Sequence, residues 1–258
     1  MANNSEKKNR QQRAEQMRKE RERADRRRRS GITVGIVVVV IALIAVAGFA
    51  IANQVGKNNA PATAPANVTD DGGIVYDQEA ATGTAGDSDP VEVVIYEDFQ
   101  CPVCKAFEAE VGTFLDQSVE QGDIAIEYRP VAYLDKASST KYSTRSMNAA
   151  ACVVDEGGPK AFHALQKLLY PNQPEEGGDG LPDAQLADFA EQAGAPGAAS
   201  CIEDGTYEKW VEESTNAASD AGVKGTPTIQ VDGKNLANSK GGPPSQEQLQ
   251  KAIAAATK

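Results

Sequence analysis

The pattern of apolar and polar positions divides the chain into four stretches. Residues 1–30 are nearly free of apolar side chains, whereas residues 32–52 are apolar, with Thr33 as the only clearly polar side chain. Residues 53–73 show no apolar periodicity and are rich in Ala, Pro, Asn, Thr, Asp and Gly, a composition typical of a flexible linker. Periodic apolar positions begin at about residue 74, so we predict one globular domain over residues 74–258.

Within residues 74–258 the pattern alternates between strand and helix periods. Residues 91–96 are mostly apolar, as in a central strand covered on both faces, and residues 77–89 have the composition of turns. The predicted strands are 74–76, 91–96, 124–131 and 228–231, and the predicted helices are 105–119, 137–155, 159–169, 181–193, 196–203, 206–221 and 245–256. This order predicts an α/β fold with an all-helical insertion over about 137–221.

Residues 31–52 are predicted to form a single transmembrane signal anchor. A helix over the 21 residues 32–52 would be ~31 Å long at ~1.5 Å per residue, about the thickness of a bilayer's hydrocarbon core. Four arginines at 26–29 precede it directly, so the positive-inside rule leaves the basic arm 1–30 in the cytoplasm and places the C-terminal domain outside. A signal peptide cleaved after Ala52 is the alternative, which the long preceding segment and the long apolar run disfavour.

The charge of the chain is distributed in the same way. Residues 1–30 hold 12 Lys and Arg against 5 Asp and Glu, residues 31–52 hold no charge, and residues 53–258 hold 14 against 32. The acidic C-terminal part argues against a nucleic acid partner, because phosphate binding requires a basic face. The single histidine, His163, disfavours histidine-based zinc catalysis and a Ser-His-Asp triad, so the four cysteines become the candidate chemistry.

Two of these cysteines lie where the first central strand meets its helix, in Cys101-Pro102-Val103-Cys104. This spacing places two sulfur atoms one turn apart at a helix N-terminus, close enough to form a disulfide or to share a metal. The helix dipole and the unpaired N–H groups there favour an anion, so we expect Cys101 to be a ready thiolate with a lowered pKa. Cys104, one turn further along, is expected to be less exposed and to act as the resolving thiol.

The motif EDFQCPVC at 97–104, with GVKGTPT at 222–228, resembles the DsbA-like thiol–disulfide oxidoreductases of the thioredoxin fold. The resemblance extends over roughly residues 74–257, and it is in particular to the membrane-anchored, exported members from actinobacteria and other Gram-positive bacteria. It implies a thioredoxin fold with an inserted all-helical subdomain, here preceded by a single transmembrane helix. It also implies a redox-active Cys101–Cys104 disulfide as the reactive group, and we predict neither a cofactor nor a bound metal.

The resemblance assigns a role to each matching residue. Cys101 matches the nucleophile that forms the mixed disulfide, and Cys104 matches the cysteine that resolves it. Thr226 and Pro227 match the loop whose proline is cis and whose backbone pairs with a substrate strand. Glu97 and Asp98 are candidate proton acceptors for Cys104, and the alternative is that both only solvate the end of the strand.

The remaining cysteines, Cys152 and Cys201, both lie in the predicted insertion. Similar actinobacterial members carry a structural disulfide in this region, and outside the cytosol such a pair tends to be oxidised. The resemblance therefore implies a structural Cys152–Cys201 disulfide, and a second redox-active pair and two free thiols are the alternatives. A zinc site of four cysteines is disfavoured, because neither Cys152 nor Cys201 has a partner at CxxC spacing.

The resemblance implies an exported enzyme that introduces disulfides into unfolded exported proteins with free cysteines. A membrane reoxidant of the DsbB or VKOR type would restore the oxidised pair, and the lipid bilayer would contact residues 32–52. A reductase or isomerase of the same fold is the alternative, because two features leave the direction of electron flow open: Pro102-Val103 lacks the histidine of the strongly oxidising Cys-Pro-His-Cys members, and Thr226 precedes the proline as in isomerase-type relatives. A non-catalytic thioredoxin-fold binding domain is the third hypothesis.

Overall fold

The computed structural model describes residues 62–86 and 89–257. The predicted basic arm and the predicted signal anchor lie outside these residues. Within the described residues, no helix is both long enough and apolar enough to cross a membrane.

The described residues form a five-stranded mixed sheet in the order β1-β3-β2-β4-β5. The strands are β1 (Ile74–Tyr76), β2 (Val91–Glu97), β3 (Ile124–Pro130), β4 (Thr228–Val231) and β5 (Lys234–Leu236). Strands β2 and β3 are parallel, whereas β4 runs antiparallel to β2 with Tyr96 opposite Thr228. The C-terminal end of β2 therefore lies beside the start of β4.

The helices pack against this sheet and against one another. They are α1 (Gln78–Thr82), α2 (Pro102–Glu120), α3 (Tyr142–Leu169), α4 (Asp183–Gln192), α5 (Ala199–Glu203), α6 (Glu208–Asp220) and α7 (Gln246–Ala256), with 3-10 turns at Tyr133–Ala137 and Pro196–Ala198. Helix α2 begins at Pro102, where the missing N–H has no partner to lose. Its buried face includes Phe107, Val111 and Leu115 at helical spacing, and it connects β2 to β3.

The predicted α/β fold with a helical insertion is confirmed, and the largest difference in helix boundaries is the start of α3. The predicted break between the helices 137–155 and 159–169 is present as a non-helical kink inside α3, which starts only at Tyr142. Gly158 has φ 71° and ψ −171° at the kink, and Pro159 follows it. A glycine adopts this conformation without a steric penalty, so two helical segments meet at a kink at the predicted break.

Two short elements were not predicted. Helix α1 lies in the stretch predicted as turns, and its ends carry ordinary signals: the Asp77 side chain accepts from Ala80 N, and Gly83 closes it with φ 79°. Strand β5 is polar and mostly exposed, and it forms because the turn at Asp232 and Gly233 returns the chain alongside β4.

Residues 62–73, assigned to the linker from sequence, contact the domain. Ala66 N donates to Asp155 Oδ1 over 2.6 Å, Asn67 Nδ2 donates to Val154 O over 3.0 Å, and Ala62 N donates to the Glu213 carboxylate. The domain therefore includes the segment from Ala62 to residue 73. Apolar periodicity does not reveal this segment, because polar groups hold it in place.

A disulfide joins Cys152 on α3 to Cys201 on α5, with the two Cα atoms 5.9 Å apart. Beside it, Asn148 accepts a hydrogen bond from Tyr207 N over 2.7 Å and donates one to Ile202 O over 3.3 Å. These contacts fasten the short helix α5 and the start of α6 to the middle of α3. The disulfide thus crosslinks two helices of the insertion.

Replacing Cys152 and Cys201 together with alanine should lower the free energy of unfolding by about 4 kcal/mol, since the sequence separation is 49 residues and the crosslink restricts the unfolded chain. Urea denaturation measures this difference. The comparison belongs in a background in which Cys101 and Cys104 are also alanine, so that neither cysteine can exchange with the bridge. Equal midpoints and slopes for the two proteins would contradict a stabilising role.

Candidate active site

Cys101 and Cys104 lie at the junction between β2 and α2. Cys101 is the residue that caps α2, and its N–H donates to Asp98 O over 2.9 Å. Both side chains are buried, and both are free thiols. Val103 between them is 46% exposed, so an apolar side chain faces solvent beside the nucleophile.

The loop before β4 meets this junction. The Thr226–Pro227 peptide bond is cis, and the Cys101 thiol donates to Thr226 O over 3.3 Å. The β2–β4 register produces this contact, because Thr228 pairs with Tyr96 only five residues before Cys101. The structure thus brings together the two motifs, which are about 120 residues apart in the sequence.

The surroundings of Cys101 stabilise its thiolate. A hydrogen bond from the Cys104 thiol is the main cause that lowers the pKa of Cys101, from 9.0 to about 6. Burial opposes this shift, whereas the Thr226 side chain and the N–H groups of Val103 and Cys104 add to it. These N–H groups belong to the first turn of α2, as expected for a helix N-terminus.

Cys104 has the opposite properties. Burial raises its pKa well above the usual value, and the neighbouring Cys101 raises it further. One thiol is therefore ionised near neutral pH while the other retains its proton. This asymmetry separates a nucleophile from a buried partner within a single helical turn.

Glu97, at the end of β2, is fully buried. Burial raises the pKa of its carboxyl to about 8, and the charge of Glu108 adds to the shift. Two hydrogen bonds to Glu97 Oε2 oppose it, from Tyr170 Oη at 2.9 Å and from Gln166 Nε2 at 2.8 Å. At neutral pH this carboxyl is mostly protonated.

Asp98 is also buried, and burial raises its pKa to about 6. Its Oδ1 accepts from Gln100 N at 2.9 Å and from Ser143 Oγ at 2.7 Å, and its Oδ2 accepts from Leu134 N at 3.0 Å. Neither Asp98 nor Glu97 faces solvent, so the alternative in which they solvate the strand end does not fit the structure.

Several polar residues around the motif could not be identified from the sequence. Ser143, Gln166 and Tyr170 hold the two carboxyls, and Gln173 donates to Phe99 O over 2.9 Å and to Cys101 O over 3.0 Å. All four lie on α3 or in the loop after it, and no spacing in the sequence links them to the cysteines. His163, also on α3, is buried against Asp116, with 2.9 Å between Nε2 and Oδ1.

A groove of about 510 Å³ lies beside the cysteines. Val103, the cis-proline loop and strands β4 and β5 line it, together with residues 241–243. Among the described residues that line the groove, Lys224 is the only charged one. The same described residues contain no cluster of three or more His, Cys, Asp or Glu side chains that could hold a metal ion.

Comparisons with known proteins agree with this geometry. A family model described as "Thioredoxin" matches residues 80–255. The solved structure of reduced DsbA from Mycobacterium tuberculosis is 33% identical with a TM-score of 0.56, and the match covers 72% of this chain and 99% of that one.

Curated relatives were also found. Disulfide bond formation protein D from Bacillus subtilis is 24% identical over 59% of this chain and 68% of its own length. The serine/threonine-protein kinase PknE from Mycobacterium tuberculosis is 30% identical over 58% of this chain. This chain spans only 28% of the length of PknE.

The reduced native protein should react with iodoacetamide at Cys101 with a half-maximal rate near pH 6, because the thiolate is the reactive form. Cys104 should remain unmodified over the same pH range. Alkylation at a series of pH values, followed by mass spectrometry of peptides, measures both rates. Denatured protein is the control, in which both thiols should titrate near the ordinary value of about 8.5. A native half-maximum at that same value would contradict the proposed electrostatics.

Proposed function

The chain belongs to the thioredoxin family, among its DsbA-like thiol–disulfide oxidoreductases, and on this basis we propose that it introduces disulfides into exported proteins. The thiol asymmetry of Cys101 and Cys104 is the observation that carries this proposal. A stabilised Cys101 thiolate favours the reduced enzyme, and an enzyme with a stable reduced form passes its disulfide on readily.

The exchange proceeds in two balanced steps. A substrate thiolate attacks Cys101 Sγ of the oxidised enzyme, the Cys101–Cys104 bond breaks, and Cys104 leaves as a thiolate that takes up a proton. A second substrate thiolate then attacks the substrate sulfur of the mixed disulfide, and Cys101 leaves as a thiolate. The substrate gains a disulfide, and the enzyme gains the two electrons.

Several neighbours serve this exchange. The donors at the start of α2 stabilise Cys101 as a leaving thiolate. The backbone of Thr226, held by the cis bond to Pro227, lies beside Cys101 and pairs with an extended substrate segment. Glu97 and Asp98 exchange protons with Cys104, since both carboxyls are buried next to the motif and have raised pKa values.

Reduced enzyme requires an external oxidant. A membrane reoxidant of the DsbB or VKOR type would accept the two electrons, and substrates would be unfolded exported proteins with free cysteines. Structural disulfides persist in oxidising compartments outside the cytosol, and the Cys152–Cys201 disulfide agrees with such a location.

A glutathione redox titration of the full-length protein should give a two-electron transition of the Cys101–Cys104 pair at ~−120 to −180 mV. Alkylated thiols are counted by intact mass, and Cys152–Cys201 should stay oxidised throughout. A midpoint near ~−250 mV or lower would favour the reductase or isomerase. A pair that cannot be reduced would favour the non-catalytic binding domain.

Cysteine variants serve as the matched controls. Cys101→Ser should abolish disulfide formation in a reduced, unfolded substrate. Cys104→Ser should accumulate mixed disulfides with a substrate that already holds a disulfide, because the Cys101 thiolate opens that bond and no second enzyme thiol resolves the product. Wild-type activity in Cys101→Ser would exclude the proposed mechanism.

We also propose that residues 31–52 anchor the chain in the membrane, with residues 1–30 in the cytoplasm and the enzyme domain outside. The uncharged apolar stretch and the arginines at 26–29 support this arrangement. The full-length protein should stay with membranes after carbonate extraction, and external protease should remove the domain from spheroplasts. Release of the protein by carbonate, or its cleavage after Ala52, would contradict a retained anchor.

A further inference from the structure

One oxygen of Glu97 receives two hydrogen bonds from the inserted subdomain. Tyr170 Oη lies 2.9 Å and Gln166 Nε2 lies 2.8 Å from Glu97 Oε2. The other oxygen, Oε1, is buried and has no hydrogen-bond partner among the described residues. Glu97 is therefore held firmly at one oxygen, while the other is not committed to any neighbour.

The Tyr170 side chain links Glu97 to the cysteines. Its ring packs edge-on against Phe99, with 5.3 Å between the centroids, and Phe99 belongs to the loop that leads into Cys101. Burial is the main cause that raises the pKa of the Tyr170 hydroxyl well above its usual value, and the charges of Glu97 and Cys104 raise it further. This hydroxyl thus contacts Glu97 directly, interacts electrostatically with Cys104 and stays protonated as a donor.

We propose that Tyr170 is a positioning residue for the exchange: its hydroxyl holds the Glu97 carboxyl so that Glu97 delivers a proton to Cys104. The inference rests on the proposed function. When a substrate thiolate opens the Cys101–Cys104 disulfide, Cys104 leaves as a thiolate. The proton then passes from the Glu97 carboxyl to the Cys104 sulfur, which leaves a carboxylate and a thiol. No further reactant is required.

The hydrogen bonds assist this transfer because they are stronger to a carboxylate than to a carboxylic acid. The groups that face Glu97 are Glu108 on α2, Asp98 beside it and Tyr128 on β3. Lys167 on α3 pairs with Glu108 at 2.7 Å and partly compensates its charge. Burial and Glu108 keep the proton on Glu97 at rest, while Tyr170 and Gln166 make its release easier.

The test is Tyr170→Phe in the full-length protein, which removes the hydroxyl and keeps the ring. Loss of one hydrogen bond to the charged form should raise the pH at which Glu97 titrates by roughly one unit. Carboxyl ¹³C NMR of glutamate-labelled protein measures the titration, and the signal that disappears in Glu97→Gln identifies the residue. The rate of reaction with dithiothreitol, corrected for the dithiothreitol thiolate fraction, should fall as Glu97 deprotonates, and in Tyr170→Phe this fall should move upward by the same amount.

Tyr142→Phe is the matched control. Tyr142 is also a buried tyrosine on α3, but its hydroxyl has no hydrogen-bond partner among the described residues. This variant should leave both the Glu97 titration and the rate profile in place. If Tyr170→Phe folds poorly, Gln166→Leu removes the other donor and should shift both quantities in the same direction.

Three results would overturn the inference: an unchanged Glu97 titration in Tyr170→Phe, an equal shift in Tyr142→Phe, or a shifted titration with an unchanged rate profile. A merely structural Tyr170 would lower the melting temperature without moving the titration. Because dithiothreitol reports on exchange at the cysteines in any direction, failure of the wild type to oxidise a protein substrate would instead count against the proposed function.

Discussion

The antiparallel register between β2 and β4 is the constraint on which the site depends. Tyr96 pairs with Thr228, so the loop that precedes β4 meets the loop that follows β2, and Thr226 O comes within 3.3 Å of Cys101 Sγ. Ile229 and Val231 are buried on β4 while Gln230 is not. A shift of one residue would expose both apolar side chains, so core packing and active-site geometry have the same cause.

Helix α2 then gives the two thiols different pKa values. The N–H groups of its first turn lower the pKa of Cys101. Cys104 lies one turn later, where burial raises its pKa. The adjacent carboxyls of Glu97 and Asp98 are removed from water by the same packing. Hydrogen bonds from the insertion offset the free-energy cost of burying these carboxyls, because buried polar groups without hydrogen bonds destabilise the fold.

The sequence was sufficient to predict the fold class and the position of two thiols at the start of a helix. Periodicity predicted β2, α2, β3, β4 and α7, and Cys-x-x-Cys after a buried strand predicted a thiol pair at a helix N-terminus. The short strand β5 and the segment 62–73 were missed, because turn geometry and hydrogen bonds form them and apolar burial does not. The partners of Glu97 were missed for a related reason: Gln166 and Tyr170 lie about 70 residues away on a helix whose path depends on tertiary packing.

The polar contacts to residues 97–101 come largely from one helix and the loop after it. Ser143 and Tyr170 lie at opposite ends of α3, and Gln173 follows them to contact the carbonyl of Cys101. The inserted subdomain therefore supplies part of the active site. A thioredoxin scaffold that received only the cysteine motif would lack the hydrogen-bond partners that the insertion supplies to Glu97 and Asp98. A chimera with a foreign insertion would keep the sheet but lose the same partners.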